Sequence, residues 1–271
     1  MKKIEINRKT DILLAILLII YLAVGGISNI LGGPNNLIAN FAFLFFVLIH
    51  GVLRYGIKNL VVFFIITFAI SWTTETLSII YGFPFGNYHY TAILGFKLGA
   101  VPILIMVAYF IAGYLAWTLS STFLGNYGKG IEKKNVFFVP FIAAFIMVMW
   151  NFCFDPIMST IQGSWVWEDG GYYFGVPVSN YFGWFFTVYL IYQVYALYLY
   201  KFVPNKKLGE NKSFWYFPAI CYFGLALQYL IGPFNHTANL DIYWSMFLAA
   251  VFTMVFTAVL NLILVQRAKI D

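Results

Sequence analysis

Eight stretches of this chain run for about twenty residues with almost no charge, the length an α-helix needs to cross the roughly 30 Å hydrocarbon core of a bilayer. They fall at Ile12 to Leu31, Leu37 to Leu53, Asn59 to Tyr81, Gly99 to Leu124, Val136 to Phe154, Phe182 to Val203, Ser213 to Gly232 and Ile242 to Gln266. The whole is 62% hydrophobic and 10% charged, with a mean hydropathy of +0.82. A soluble chain carries nearer a quarter charged residues, so water is not the main solvent here. The expectation is an all-α polytopic membrane bundle of about eight spans, forming one transmembrane domain over residues 1–271.

The charges set the expected orientation. The net charge of +6 does not indicate nucleic acid, because the basic residues sit in short clusters between apolar runs. Of the 16 Lys and Arg, all but Lys97 fall on one side when loops are taken alternately: Lys2, Lys3, Arg8 and Lys9; Arg54 and Lys58; Lys129, Lys133 and Lys134; Lys201, Lys206, Lys207 and Lys212; Arg267 and Lys269. Cytoplasmic loops retain positive charge, so both termini are expected in the cytoplasm, and the first apolar run is read as a retained helix in a multi-pass protein of the cell membrane. Cys153 and Cys221 both lie in apolar runs, giving neither a disulfide framework nor a CxxC site.

The same alternation sorts the other polar residues. Glu75, Asn87, His89, Asp155, Glu168, Asp169, Asn180, Asn235, His236 and Asp241 gather at or near the non-cytoplasmic side. Glu75 shares a helical stripe with Ser71 and Ser78, beside Trp72. An acid at mid-span costs about 2.5–3.5 kcal/mol on insertion scales, so Glu75 is expected to face the bundle interior and to be functional, or else to lie near enough to the interface to be hydrated or to pair with Lys97. Asp155 precedes Pro156, which is expected to stop the fifth span and leave the carboxyl at the membrane rim, one turn after Asn151. There it serves chemistry or a local turn.

Two connections are neither soluble nor lipid-like. Gly82 to Tyr90 reads G-F-P-F-G-N-Y-H-Y, and Trp165 to Asn180 carries W-V-W-E-D-G-G and Y-F-G-V-P-V-S-N. Their Gly and Pro residues impose turns while their aromatic rings avoid water, so both are expected to fold back over the bundle, or else to form an interfacial aromatic belt. Within them Asn87, Tyr88, His89, Tyr90, Trp165, Trp167 and Asn180, together with Trp72, Asn151 and His236, are the candidate substrate-binding residues, and Asp155 and Glu75 the candidate catalytic pair. The three histidines lack metal-ligand spacing, and His50, on the opposite half, reads as structural. No G-x-G-x-x-G, P-loop, H-E-x-x-H, multi-His box or G-x-S-x-G occurs, so neither a metal nor an organic cofactor is expected.

These motifs carry a resemblance. E-x6-G-F-P-F-G-N-Y-H-Y-T from Glu75, L-G at Leu94 and Gly95, V-P at Val101 and Pro102, D-P at Asp155 and Pro156, W-V-W at Trp165 to Trp167, and G-x-Y-F-G-V-P-V-S-N-Y-F-G-W from Gly171 to Trp184 resemble the carotenoid biosynthesis protein family. That family includes bisanhydrobacterioruberin hydratases and membrane carotenoid 1,2-hydratases, and the likeness covers about residues 75–184. It implies a membrane enzyme adding water across the terminal double bond of a long acyclic carotenoid, leaving a tertiary alcohol, without a cofactor. Such chemistry needs a proton donor, a held water and aromatic faces for a tertiary cation. On the residues, Asp155 is the expected donor with Glu75 orienting water, or the reverse. A lipid or small-amphiphile transporter, an isoprenoid isomerase or cyclase, and a non-catalytic scaffold are the competing readings.

Overall fold

The computed structural model describes residues 6–30, 37–208 and 211–270; Lys2, Lys3 and Leu31 of the expectations above lie outside them. Apolar runs of spanning length become helices because a helix alone satisfies its own backbone where no water can. Eight such segments are present among the described residues: Arg8–Ser28, Leu37–Tyr55, Ile57–Tyr81, Ile103–Phe123, Lys133–Ile161, Val178–Phe202, Lys212–Asn235 and Leu240–Arg267. The protein is a multi-pass all-α membrane bundle, with boundaries within a few residues of those read from sequence at most ends. Large apolar side chains such as Ile16, Phe41, Ile65 and Phe252 cover its outside, a surface suited to lipid.

In order, α1 is Arg8–Ile30 and α2 is Leu37–Tyr81, turned back on itself at Gly56, whose φ of 78° favours glycine. Helix α3 is Ile103–Phe123; α4 is Phe138–Asp155, prolonged by a wider turn over Pro156–Ile161; α5 is Val178–Phe202 and α6 is Lys212–Asn235. Helices α7 (Leu240–Ala249) and α8 (Phe256–Arg267) are joined through a second wide turn. Helix α3 is the axis of the bundle. Every residue from Ala112 to Thr122 is buried, and neighbouring helices are tied to it by hydrogen bonds of Tyr192 to the Gly113 carbonyl, Asn261 to the Leu119 carbonyl and Ser120 to the Val139 carbonyl. Small and polar residues at such a contact replace the hydrophobic drive that lipid removes.

Pro156 does not stop the fifth span as its sequence position suggested. The helix continues to Ile161, and Ser159 Oγ donates to the Asp155 carbonyl at 2.8 Å. Pro156 stands at the first position of this wider turn, where its missing N–H is tolerated, so the chain keeps its helical course past it. Asp155 is therefore not where the helix stops, and it is 1% exposed inside the bundle.

One end of the bundle carries β1 (Tyr88–Tyr90), β2 (Lys97–Leu98), β3 (Val101–Pro102) and β4 (Trp165–Trp167). β1 pairs antiparallel with β4, setting Tyr88 opposite Trp167 and Tyr90 opposite Trp165, and β2 pairs with β3. The two aromatic connections thus fold back together as a small sheet, which the sequence reading did not foresee. At the other end Gly128 bridges Lys207, Lys212 reaches the Gln266 carbonyl and Asn211 bonds Asp11. Every described Lys and Arg except Lys97 belongs to that second end. Arg54, counted above as a loop charge, is fully buried, its guanidinium over the rings of Tyr55 and Trp215. Cys153 and Cys221 are buried thiols of the core.

Cysteine labelling in intact cells tests which end faces the cytoplasm. The native thiols are buried, so a membrane-impermeant maleimide should label Tyr172→Cys, at a fully exposed site on the sheet end, and label Lys134→Cys only after permeabilisation. The opposite pattern would reverse the expected orientation.

Candidate functional site

The antiparallel pair sorts its residues by alternation. Side chains along a strand point to opposite faces, so Tyr88 and Tyr90 turn inward while His89 turns out, and Trp165 turns inward while Val166 is exposed. Backbone bonds from Thr91 to Ser164 and from Glu168 to Asn87 extend the pairing at both ends. The sheet is fastened to the helices below it. Ser78 on α2 accepts from the Phe85 amide at 2.9 Å and donates to the Gly86 carbonyl at 3.0 Å, and Ser179 on α5 donates to the Phe85 carbonyl at 2.9 Å. A Cβ on Gly183 would come within 2.6 Å of the Pro84 carbonyl oxygen, so only glycine allows α5 this close to the loop.

Beneath the sheet lies a chamber. Its walls are Glu75 from α2, Ile105, Ala108 and Tyr109 from α3, Trp150, Phe154 and Asp155 from α4, and Asn180 and Trp184 from α5, roofed by Phe85, Tyr88, Tyr90, Trp165 and Trp167. Both expected catalytic acids face one space. Glu75 is 3% exposed and accepts three phenolic O–H groups: Tyr88 and Tyr90 (2.8 Å) at Oε2 and Tyr109 (2.9 Å) at Oε1. Lys97, the cation expected as its alternative partner, donates instead to the Tyr90 carbonyl at 2.6 Å. Asp155 Oδ2 accepts from Asn180 Nδ2, the same amide lies 3.4 Å from Asn151 Oδ1, and Asn151 also stands within reach of the Asp155 carboxyl.

Burial, followed by the neighbouring Glu75 charge, raises the pKa of Tyr88 and of Tyr90 well above the ordinary phenol value. Both therefore remain donors across the physiological range. Aromatic faces complete the walls: Trp184 is stacked on Tyr109 at 4.3 Å and 3°, Tyr88 lies 4.9 Å from Trp167, and Tyr90 meets Trp165 edge-on. The space enclosed is about 20 Å³, on a scale where one water needs roughly 10–15 Å³. Trp167 Nε1 is a buried donor with no partner among the described residues, a group that a water or substrate oxygen would satisfy.

Of the expected binding residues, Tyr88, Tyr90, Trp165, Trp167 and Asn180 line the chamber, and Asn151 stands one layer behind Asn180. Four stand elsewhere. Trp72 donates to the Leu98 carbonyl at 3.0 Å and so holds the second hairpin. Asn87 donates to Asp169, and His89 pairs with Glu168, both on the outer face of the sheet. His236, beyond the end of α6, is exposed and stacked on Tyr243 at 4.2 Å. His50 is structural as expected, hydrogen-bonded to Tyr114 and to the Phe214 carbonyl. The walls that sequence reading missed are Phe85, Ile105, Ala108, Tyr109, Trp150, Phe154 and Trp184. Two of them, Phe85 and Trp184, stood inside the quoted motifs and Trp150 beside Asn151, whereas Tyr109 had no local signal.

Residues 32–260 match the model of a family described as "Carotenoid biosynthesis protein". No curated protein and no solved structure matches the chain.

Thermal unfolding in detergent should separate residues that build the roof from those that decorate it. Gly183→Val forces α5 from the Pro84 backbone and should cost about 1–3 kcal/mol. His89→Ala removes a solvent-exposed pair and should change stability by less than about 1 kcal/mol. Equal losses in the two variants would contradict this assignment.

Proposed function

The chain belongs to the carotenoid biosynthesis protein family, and from that premise we propose that it hydrates the terminal carbon–carbon double bond of an acyclic carotenoid. The observation that carries this reading is the pairing of two buried carboxyls, Glu75 and Asp155, around a water-sized space walled by aromatic rings. Each element answers a demand of the chemistry. Protonation at the CH carbon of a terminal isobutenyl group forms one C–H bond and leaves a tertiary cation on the dimethyl carbon. Water then bonds that carbon through oxygen and gives up a proton, so acid is regenerated and one water is consumed.

The two carboxyls are set up differently. A carboxylate that accepts three phenolic hydrogen bonds is held in its anionic form, and this supports Glu75 as the group that orients the water and takes its proton once the cation has formed. Asp155, which accepts from Asn180, is the proton donor of the proposal, and the proton that Glu75 takes from water returns to Asp155 across the shared space before the next turnover. The stacked pair Tyr109–Trp184 and the indoles Trp165 and Trp167 offer π faces that stabilise positive charge without capturing it covalently. No residue in this sequence of steps calls for a cofactor. The partner is a long apolar isoprenoid delivered from membrane lipid, with the reacting end on the sheet side, which the charge pattern assigns to the cell exterior.

Asp155→Asn and Glu75→Gln keep volume while removing the acid function. With purified protein and an acyclic carotenoid in detergent, accurate mass should show a gain of about 18 Da, one water, for the wild type. Each variant should lower that product at least about 100-fold; Asp155→Asn should keep the wild-type melting temperature, whereas Glu75→Gln, which puts an amide where three phenols find an acceptor, should fold with a lower one. Full activity in both variants would end the acid mechanism. A wild-type product of unchanged mass would favour isomerisation, cyclisation or transport.

A further inference from the structure

A cavity with room for about one water does not admit a branched hydrocarbon end. The chain has that room next door. A second cavity, about 430 Å³ on the same scale, lies between α1, the first span of α2, α3, α4 and α6. Four residues, Ile105, Ala108, Trp150 and Phe154, line both spaces.

We infer that this cleft binds the hydrocarbon chain of the isoprenoid substrate, and that the four shared residues form a collar where the terminal double bond meets the acids. The inference rests on the hydration reading only for what happens at the collar; chain binding in the cleft stands apart from it. Phe154 adjoins Asp155 on α4 and Ala108 adjoins Tyr109 on α3, the donor to Glu75 Oε1, so a chain end at the collar abuts one acid and the hydrogen-bond partner of the other. Ala108, the smallest of the four, leaves the way between them widest.

The chemistry of the cleft suits a polyene. Its volume comes from small residues: Gly25, Gly26, Ala39, Ala108 and Ala112 all line it, and a Cβ at Gly26 would meet nothing within 4 Å. Its walls carry stacked rings, Tyr21 on Phe43 at 4.9 Å and 21° and, at the collar, Trp150 on Phe154 at 4.4 Å and 29°. Flat aromatic pairs pack well along a flat conjugated chain. None of the described residues lining it is charged, and its polar side chains are few, chiefly those of Ser28, Asn40, Gln162 and Gln228. On α3 the cleft runs from Leu104 to Ala112, about 12 Å at 1.5 Å per residue. That length accepts the terminal part of a carotenoid while the rest continues into the bilayer.

The test fills the cleft without touching the acids. Gly26→Phe projects a ring into open space, and Leu104→Trp enlarges an exposed residue at the cleft's edge. Purified wild type and both variants are titrated with an acyclic carotenoid in detergent, and the pigment retained per protein after gel filtration is read by its visible absorbance. Both variants should keep the wild-type melting temperature and weaken pigment binding at least about tenfold. If Gly26→Phe does not fold, Leu104→Trp decides alone. Wild-type affinity in the folded variants would overturn the proposal, as would loss of a fluorescent phospholipid with pigment binding intact. Cleft-dependent pigment binding by a wild-type protein that adds no water would refute hydration and leave the cleft assignment standing. Hydration with cleft-independent binding would do the reverse.

Discussion

The structure depends on how the bundle answers one buried carboxyl. Placing Glu75 within an apolar span costs about 2.5–3.5 kcal/mol on insertion scales, and the return comes from three phenol donors. Two of them stand on β1 and one on α3, so satisfying Glu75 requires the first aromatic connection to fold inward over the helices. The antiparallel pairing with β4 then follows, because a lone three-residue strand has no other partner for its backbone. Ser78, one turn beyond Glu75, and Ser179 on α5 fasten the same loop, and Gly183 makes room for it. One acid thereby organises a roof, a sheet and the approach of α5.

The second acid is placed by a different device. Asp155 would end its helix if Pro156 acted as a plain breaker, but the wide turn that begins at Pro156 carries the helix onward. The carboxyl stays inside, where Asn180 in the first turn of α5 meets it. Polar chemistry and hydrocarbon are thus kept in adjoining spaces, a water-sized chamber with the carboxyls and an uncharged cleft with small residues and rings, which share a wall. A hydration reaction on an apolar chain needs that separation, because water admitted along the chain would quench a cation formed anywhere but at its end.

Much of this was legible from sequence for a simple reason. Hydrophobic length is a strong signal in a membrane protein, and polar residues inside apolar runs stand out against it, so the spans, Glu75, Asp155 and Asn180 could be read directly. Tyr109 could not, since it is an ordinary helix residue in a chain with 30 Phe, 20 Tyr and 8 Trp and only tertiary contact distinguishes it, while Trp150 and Trp184, beside Asn151 and inside a motif, were passed over among so many rings. Asn87 and His89 were grouped with Tyr88 and Tyr90 because neighbours in sequence look equivalent until strand alternation separates them. Trp72 and His236 failed differently. Each sits on the expected side of the bundle, but the partner that claims it, the Leu98 carbonyl or the Tyr243 ring, is set by packing. The Asp155–Pro156 pair misled because proline's effect depends on whether the helix can widen past it.

The central claim is that solvent water, held between two carboxyls, becomes part of the substrate. Incubating the purified protein with an acyclic carotenoid in heavy-oxygen water tests this directly. The account predicts a tertiary alcohol bearing the heavy oxygen, a mass gain of about 20 Da. A product whose hydroxyl carries ordinary oxygen, or whose mass is unchanged, would contradict it.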